Sequence, residues 1–454
     1  MRFRTLRSYA VVFILAFGLY FISSGPFPYW KSLTPQYVYL AYSFLHARLY
    51  LTALPASTYD LIRYNGRWYV PGAMAPALVL APFVAIWGLN VSDILFGIVV
   101  GAVNVLAMYD LLGRLKPETG FPHALNPNAR TWLTALFALG TAHWYIASTG
   151  TVWFNAQVLA VTFMILFVRE TLTVNRGWLA GLWLGLAILS RPTLLFSGLF
   201  YVAYVLLRDR SVRALLRKVV PFGLVFAATL GVLALYNVLR FGSPLDFGYE
   251  YVQGSAVITQ AYADYGGFSA HFLPCNIYVS LLGTPDLNGS IAPGYTAFCP
   301  YLTSLNPVTK GWPTAVNPIG MSVFFATPAL AYAFKASLRK PLVLAAWIGL
   351  LPVTLALWLY SNTGALQYGY RYILDVIVFL MILVAAGMQA RLRFLEKLAI
   401  GASILSGFAG MIWMADKGLF IVNWAIILKI YVGHRWSLLI HWIKSLGLHV
   451  GQGA

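Results

Sequence analysis

The chain has 454 residues, of which 60% are hydrophobic, 16% aromatic and only 10% charged, with a mean hydropathy of +0.74. Soluble domains carry roughly 25% charged residues, so this composition excludes a large soluble domain and implies a polytopic membrane protein. The net charge of +18 does not signal nucleic acid, because the basic residues collect in short loops between apolar runs, which is the positive-inside pattern.

In chain order, MRFRTLR and the apolar run Ser8–Ile22 lack a small-residue cleavage site and read as an uncleaved first span, with the N-terminus cytoplasmic. Residues 25–90 follow as a long, aromatic-rich external segment. Within it, Met74–Trp87 is apolar but carries Pro76 and Pro82 and falls short of the roughly 20 residues a span needs, so a re-entrant or interfacial helix is expected. Loop charges then order the remaining spans: Asp93–Leu112 inward, Thr131–Ser148 outward, Val152–Val168 inward, and Val219–Leu239 outward to a second external segment, 240–318. Pro318–Phe334, Leu342–Tyr360, Tyr372–Met388 and two runs near 398–414 and 418–432 complete about 12 membrane helices, leaving both termini cytoplasmic. HRWSLLIHWIK beyond residue 432 reads as an amphipathic interfacial helix, so the expected division is a membrane domain over 1–432 and a cytoplasmic tail over 433–454.

One segment departs from simple spans. Between the cytoplasmic Arg176 and the basic loop RDRSVRALLRK (208–218), residues 177–207 must leave and return, with Arg191 the only charge. Each arm has ~14–15 residues, about 21–22 Å at 1.5 Å per residue, against a ~30 Å hydrocarbon core. The tip Ser190-Arg191-Pro192 is therefore expected inside the outer half of the bilayer, where non-helical backbone must line a protein cavity. A guanidinium there either snorkels to headgroups or holds an anion arriving from the membrane, most simply a lipid phosphate.

The acids expected on the external side are Asp60, Asp93 at a span mouth, Asp246, Glu250, Asp264, Asp286, Asp375 near a span start, and Asp416. None sits mid-span like a proton relay, which counts against a proton-coupled transporter. No His or His/acid cluster has metal-ligand spacing; His46, His143 and His271 read as interfacial hydrogen-bonding residues. No cofactor is implied, and a requirement for a divalent metal stays open.

Three external constellations stand out. STYDLIRYNGRWYVPGAMAP (57–76) gathers Asp60, Arg63 and Arg67 among Tyr59, Tyr64, Trp68 and Tyr69, a mixture suited to sugar rings and phosphates, or equally to an aromatic belt on a juxtamembrane helix. LRFGSPLDFGYEY (239–251) would place Asp246 and Glu250 on one face if a helix follows its turn. QYGYRYILD (367–375) sets Arg371 between Tyr370 and Tyr372 at a span entrance. Cys275 and Cys299, the only cysteines, both fall in the external segment and form a candidate disulfide.

These features together resemble the GT-C superfamily of integral-membrane glycosyltransferases, such as protein O-mannosyltransferases and the lipid A aminoarabinose transferase. QYVYLAYSFLHARLYL (36–51), PALVLAPFVAIWG (76–88), GLAILSRPTLLF (185–196), YNVLRFGSPLDFGY and QYGYRYILD carry the resemblance over most of residues 1–390. It implies an all-α membrane fold with juxtamembrane helices in the first external loop. It also implies transfer of a sugar from a polyprenyl-phosphate donor to a glycan, lipid or protein acceptor at the outer face of the cytoplasmic membrane. On that reading Asp60, or else Asp246 or Glu250, is the base. Arg191, Arg371, Arg63 and Arg67 meet the donor phosphate, and Tyr59, Tyr64, Trp68, Tyr69 and Tyr370 meet sugar or acceptor. One departure matters: the family places its acid soon after the first span, and SSGPFPYWKSLTPQYVYL has none. A non-catalytic transporter or flippase of lipid-linked saccharides is the alternative. Against it stand the external bias of the polar residues and the absence of a convincing inverted repeat.

Overall fold

The computed structural model describes residues 2–24, 31–209, 211–285, 293–305, 317, 319–364 and 366–416. The expected span 418–432, the tail 433–454, and Asp286 lie outside the described residues.

The first span is α1 (Arg2–Ser23). The first segment expected to be external holds α2 (Gln36–Leu45), strands β1 (Leu61–Tyr64) and β2 (Arg67–Tyr69), and α3 (Ala75–Trp87), which contains Pro82. The strands correct the expectation of helix alone. Asn65 and Gly66 both take positive φ (47° and 71°), so a two-residue turn of the kind Asn-Gly favours pairs Tyr64 with Arg67 and Ile62 with Tyr69. A third strand, β3 (Val252–Gln253), pairs antiparallel with β1 and gives the order β2-β1-β3. The two long inter-span segments are thereby joined by backbone hydrogen bonds.

Next come α4 (Asp93–Leu112), α5 (Pro127–Leu139), α6 (His143–Thr149) and α7 (Val152–Leu172). The expected span Thr131–Ser148 is broken at Gly140, and a Cβ there would meet Leu136 of the preceding turn and Ser403 of a packed neighbouring helix. His143 is fully buried, with Nδ1 3.0 Å from the Tyr20 hydroxyl and Nε2 3.2 Å from Asn104 Nδ2. It belongs to the helix core and not to an interface.

The hairpin is built as its short arms require. α8 (Gly177–Ile188) is ~18 Å long at 1.5 Å per residue. Arg191 is extended, Pro192 opens a short 3₁₀ turn, and α9 (Gly198–Arg208) returns. Gly177, Gly181 and Gly185 let α8 lie against α10 (Val212–Phe241), because a Cβ at these positions would collide with the Lys218 and Phe222 carbonyls and with Thr229.

The second segment expected to be external carries α11 (Ala256–Tyr265), α12 (Leu273–Ile277) and α13 (Pro293–Phe298). Cys275 and Cys299 are bonded to each other across it. In place of a continuous span over 318–334 there is α14 (Val323–Ala326), a break before Pro328, and a 3₁₀ stretch over Pro328–Lys335. α15 (Pro341–Trp358), α16 (Ile377–Gly387) and α17 (Phe394–Asp416) end the described chain.

Five described helices are long and apolar enough to cross a membrane: α4, α7, α10, α15 and α17, with shorter apolar helices between them. The protein is thus a multi-pass membrane protein and mostly helical. α7 and α16 form its centre; residues Ile377 to Ala386 are all buried, as expected of a helix apolar all round. α10 and α17 lie at the periphery, with only 22% and 33% of their apolar windows buried. At the basic end, Asp110 accepts from Arg114 and Arg169 at 2.7 Å and from Tyr9, tying α1, α4 and α7 together.

Candidate functional site

A cavity of about 400 Å³ opens among the two long inter-span segments, the hairpin tip and the entrance to α16, and it brings together Asp60, Arg191 and Arg371. These three are separated by more than a hundred residues in sequence. Each arrives on a different element.

Asp60 stands at the head of β1. Its N–H donates to the Gln253 carbonyl (2.8 Å), and its Oδ2 accepts from Trp153 Nε1 (2.8 Å). Its φ is +64°, a left-handed conformation that Asp tolerates at a cost and that collects at functional sites. Burial pushes its carboxyl above the usual range, while the Trp153 hydrogen bond and the Arg371 charge pull it back.

Arg191 does not wait unpaired for a membrane anion. Its Nη2 lies 2.9 Å from Asp375 Oδ2 and its Nε 3.2 Å from Oδ1, while the Thr193 hydroxyl donates to the same carboxylate at 2.7 Å. The hairpin tip is thus fastened to the start of α16 by an internal ion pair, with Asp375 only 1% exposed. The guanidinium also faces the Tyr372 ring, 5.2 Å from its centroid, and lines the cavity.

Arg371 is the contrasting case. It is buried, yet it takes part in none of the ion pairs among the described residues. Its Nε donates to the Gly364 carbonyl (2.7 Å) and its Nη1 to Gln157 Oε1 (2.9 Å), while Gln367 Oε1 accepts from its backbone N–H (2.7 Å). Oxygen dipoles orient this cation without neutralising it.

The walls are aromatic and hydroxylic. Trp153 stacks on Tyr249 (6.3 Å, 24°), and Phe154, Tyr262, Tyr360 and Tyr372 complete the rings. Thr34, Ser57, Thr151, Ser255, Thr259, Ser361 and Asn362 supply polar edges. Burial pushes the Tyr249 phenol up to about 12, against the lowering effect of Arg191, so it is a neutral hydrogen-bond donor at pH 7.

Among the residues singled out from sequence, Asp60, Tyr59, Arg191 and Arg371 line the cavity; Arg63, Arg67, Tyr64, Trp68, Tyr69 and Tyr370 do not. Arg63 packs over Trp68 and Arg67 over Tyr50 on the exposed hairpin, and Tyr64 and Tyr69 pack edge-on against Phe241. Asp246 and Glu250 do not share a helix face. Only a three-residue 3₁₀ turn (Tyr249–Tyr251) follows, Asp246 accepts from the Gly248 N–H (2.7 Å), and neither acid lines the cavity. Sequence reasoning missed Trp153, Tyr249, Tyr262, Gln157 and the Asp375 pairing. Trp153 and Gln157 lie inside a plain apolar span, and only their adjacency to Asp60 and Arg371 in space gives them meaning. Among the described residues no group of three His, Cys, Asp or Glu is placed to hold a metal ion.

No protein-family model matches the chain, and no curated protein matches its sequence. Among solved structures it is similar to ArnT from Cupriavidus metallidurans bound to undecaprenyl phosphate, with 16% identity and a TM-score of 0.45 over 90% of this chain and 64% of that one. It is also similar to the oligosaccharyltransferase of Archaeoglobus fulgidus in its apo form, with 13% identity and a TM-score of 0.49 over 91% of this chain and 56% of that one. The chain therefore spans less than two thirds of the length of either structure.

Proposed function

We propose that this chain is a GT-C-like membrane glycosyltransferase that moves a sugar from a polyprenyl-phosphate donor to an acceptor hydroxyl. In this reading the reaction takes place at the outer face of the cytoplasmic membrane, with the N-terminus inside. The observation that carries the reading is the meeting of one carboxylate, Asp60, and one buried cation without an acidic partner, Arg371, in a single aromatic-walled cavity. An inverting transfer needs those two groups. Asp60 takes the proton of the acceptor hydroxyl as its oxygen bonds to the anomeric carbon. The bond from that carbon to the phosphate oxygen breaks, and Arg371 stabilises the charge that builds on the departing lipid phosphate. A preoriented, buried guanidinium suits this task, because its donors are fixed before the charge develops.

Arg191 has a different part in this account. Paired with Asp375, it fixes the hairpin tip and offers the cavity one edge of a guanidinium whose charge is already balanced. The test is transfer by the purified protein from a short-chain polyprenyl-phosphate sugar, compared with Asp60→Asn. Turnover by the wild type and its loss in a folded variant support the proposal. Donor left intact by the wild type with every acceptor class, or full activity in Asp60→Asn, contradicts it.

A further inference from the structure

Resting on the glycosyltransferase reading, we infer that the cavity selects a donor whose sugar is neutral or amine-bearing and rejects one that carries a carboxylate. The inference comes from counting charges. Asp60, Arg191 and Arg371 line the cavity, and Asp375 touches Arg191 from behind at 2.9 Å. Two carboxylates and two guanidinium groups sum to zero before any ligand enters.

The pairing is unequal. Arg191 and Asp375 balance each other by direct contact, so the cation open to a donor phosphodiester is Arg371. Once that phosphate is seated, Asp60 keeps its negative charge and loses its counter-charge. The sugar, attached to the phosphate, must then sit between an anion and a carboxylate.

Nothing else in the wall can offset a further negative charge. Tyr249, Tyr262 and Trp153 supply aromatic rings, a lining that suits the C–H faces of a pyranose; Ser57, Thr259 and Ser361 supply hydroxyls, which suit sugar hydroxyls. The nearby cations are committed elsewhere. Arg63 and Arg67 sit on the exposed hairpin over Trp68 and Tyr50, and Arg240 donates to the carbonyls of Val70 and Gly72 outside the lining. A carboxylate on the sugar would be desolvated beside Asp60 with no counter-ion, which is the arrangement that discriminates most strongly between isosteric ligands.

The experiment compares equilibrium binding of two short-chain polyprenyl-phosphate sugars, glucose and glucuronic acid, to the purified full-length protein in detergent near pH 7.5. These donors differ only in a carboxylate replacing a hydroxymethyl group. At least tenfold weaker binding of the glucuronate donor is expected, and the gap should shrink in Asp60→Asn, which removes the opposing charge while keeping an oxygen for Trp153. Equal or tighter binding of the glucuronate donor, or an unchanged gap in Asp60→Asn, overturns the inference and leaves the transferase reading standing. Failure to bind either donor overturns both.

Discussion

Arg191 and Asp375 lie 184 residues apart in sequence and 2.9 Å apart in space, the first at the tip of the short-armed hairpin and the second at the threshold of α16. The pair is buried, with 11% and 1% of the two side chains exposed, and Thr193 completes the carboxylate's hydrogen bonds. Removing one member leaves the other charge stranded. Arg191→Ala should therefore destabilise the protein by about 3–5 kcal/mol. Unfolding in detergent should show this, with Arg191→Ala/Asp375→Ala less unstable than the single variant. A silent Arg191→Ala would mean that the guanidinium simply reaches toward headgroups.

Asp60 is placed to act as the base. Asp60→Asn keeps its shape and its acceptor for Trp153, so turnover should fall roughly 10²–10⁴-fold with no loss of fold stability. Because burial raises its folded pKa, the active carboxylate is lost as pH falls through a value above the ordinary carboxylate range. kcat/KM should fall there, earlier than for a solvated Asp. The same shift means that Asp60 lowers fold stability at neutral pH and that acidification relieves this, so loss of activity precedes any unfolding due to this group. An acid limb at the pKa of a free Asp would remove Asp60 from this role.

Much of the frame was legible because bilayer physics leaves few options. Loop charge and run length located α1, α4, α7, α10, α15 and α17, and the hairpin followed from two arms too short to cross. The irregular backbone was harder to read. Asn65-Gly66 between LIRY and RWY carried a hairpin signal that the surrounding aromatic density concealed. The break at Gly140 and the 3₁₀ stretch from Pro328 depend on what neighbouring helices allow. Arg191 was recognisable as a charge at membrane depth, Asp60 as an acid within a dense aromatic stretch and Arg371 as a cation between tyrosines at a span entrance. Their partners were not, since Asp375, Trp153 and Gln157 acquire their roles only through contacts across the bundle.

The disulfide closes a stretch of 24 residues between α12 and α13. Loop-entropy arguments put its contribution at about 3 kcal/mol. Cys275→Ser/Cys299→Ser should lower the unfolding temperature measurably, and reductant should shift the wild type but not the variant. An identical transition in the two proteins would show that the pair does not support this segment.

Orientation is open to direct labelling. Ser57 lies in the first segment expected outside and lines the cavity. In a Cys275→Ser/Cys299→Ser background, Ser57→Cys should react with a membrane-impermeant thiol reagent added outside intact cells. Protection there, with labelling only after permeabilisation, would invert the topology.

Arg371 bears the central claim, that a buried cation held by oxygen dipoles and lacking an acidic partner receives the lipid phosphate. The direct measurement is titration of the purified protein with a short-chain polyprenyl phosphate, wild type against Arg371→Gln and Arg371→Lys. Losing a charge-assisted contact of about 1.5–3 kcal/mol predicts at least tenfold weaker binding for Arg371→Gln, with Arg371→Lys in between because it keeps the charge and loses the planar fork. Equal affinity across all three proteins would contradict the account.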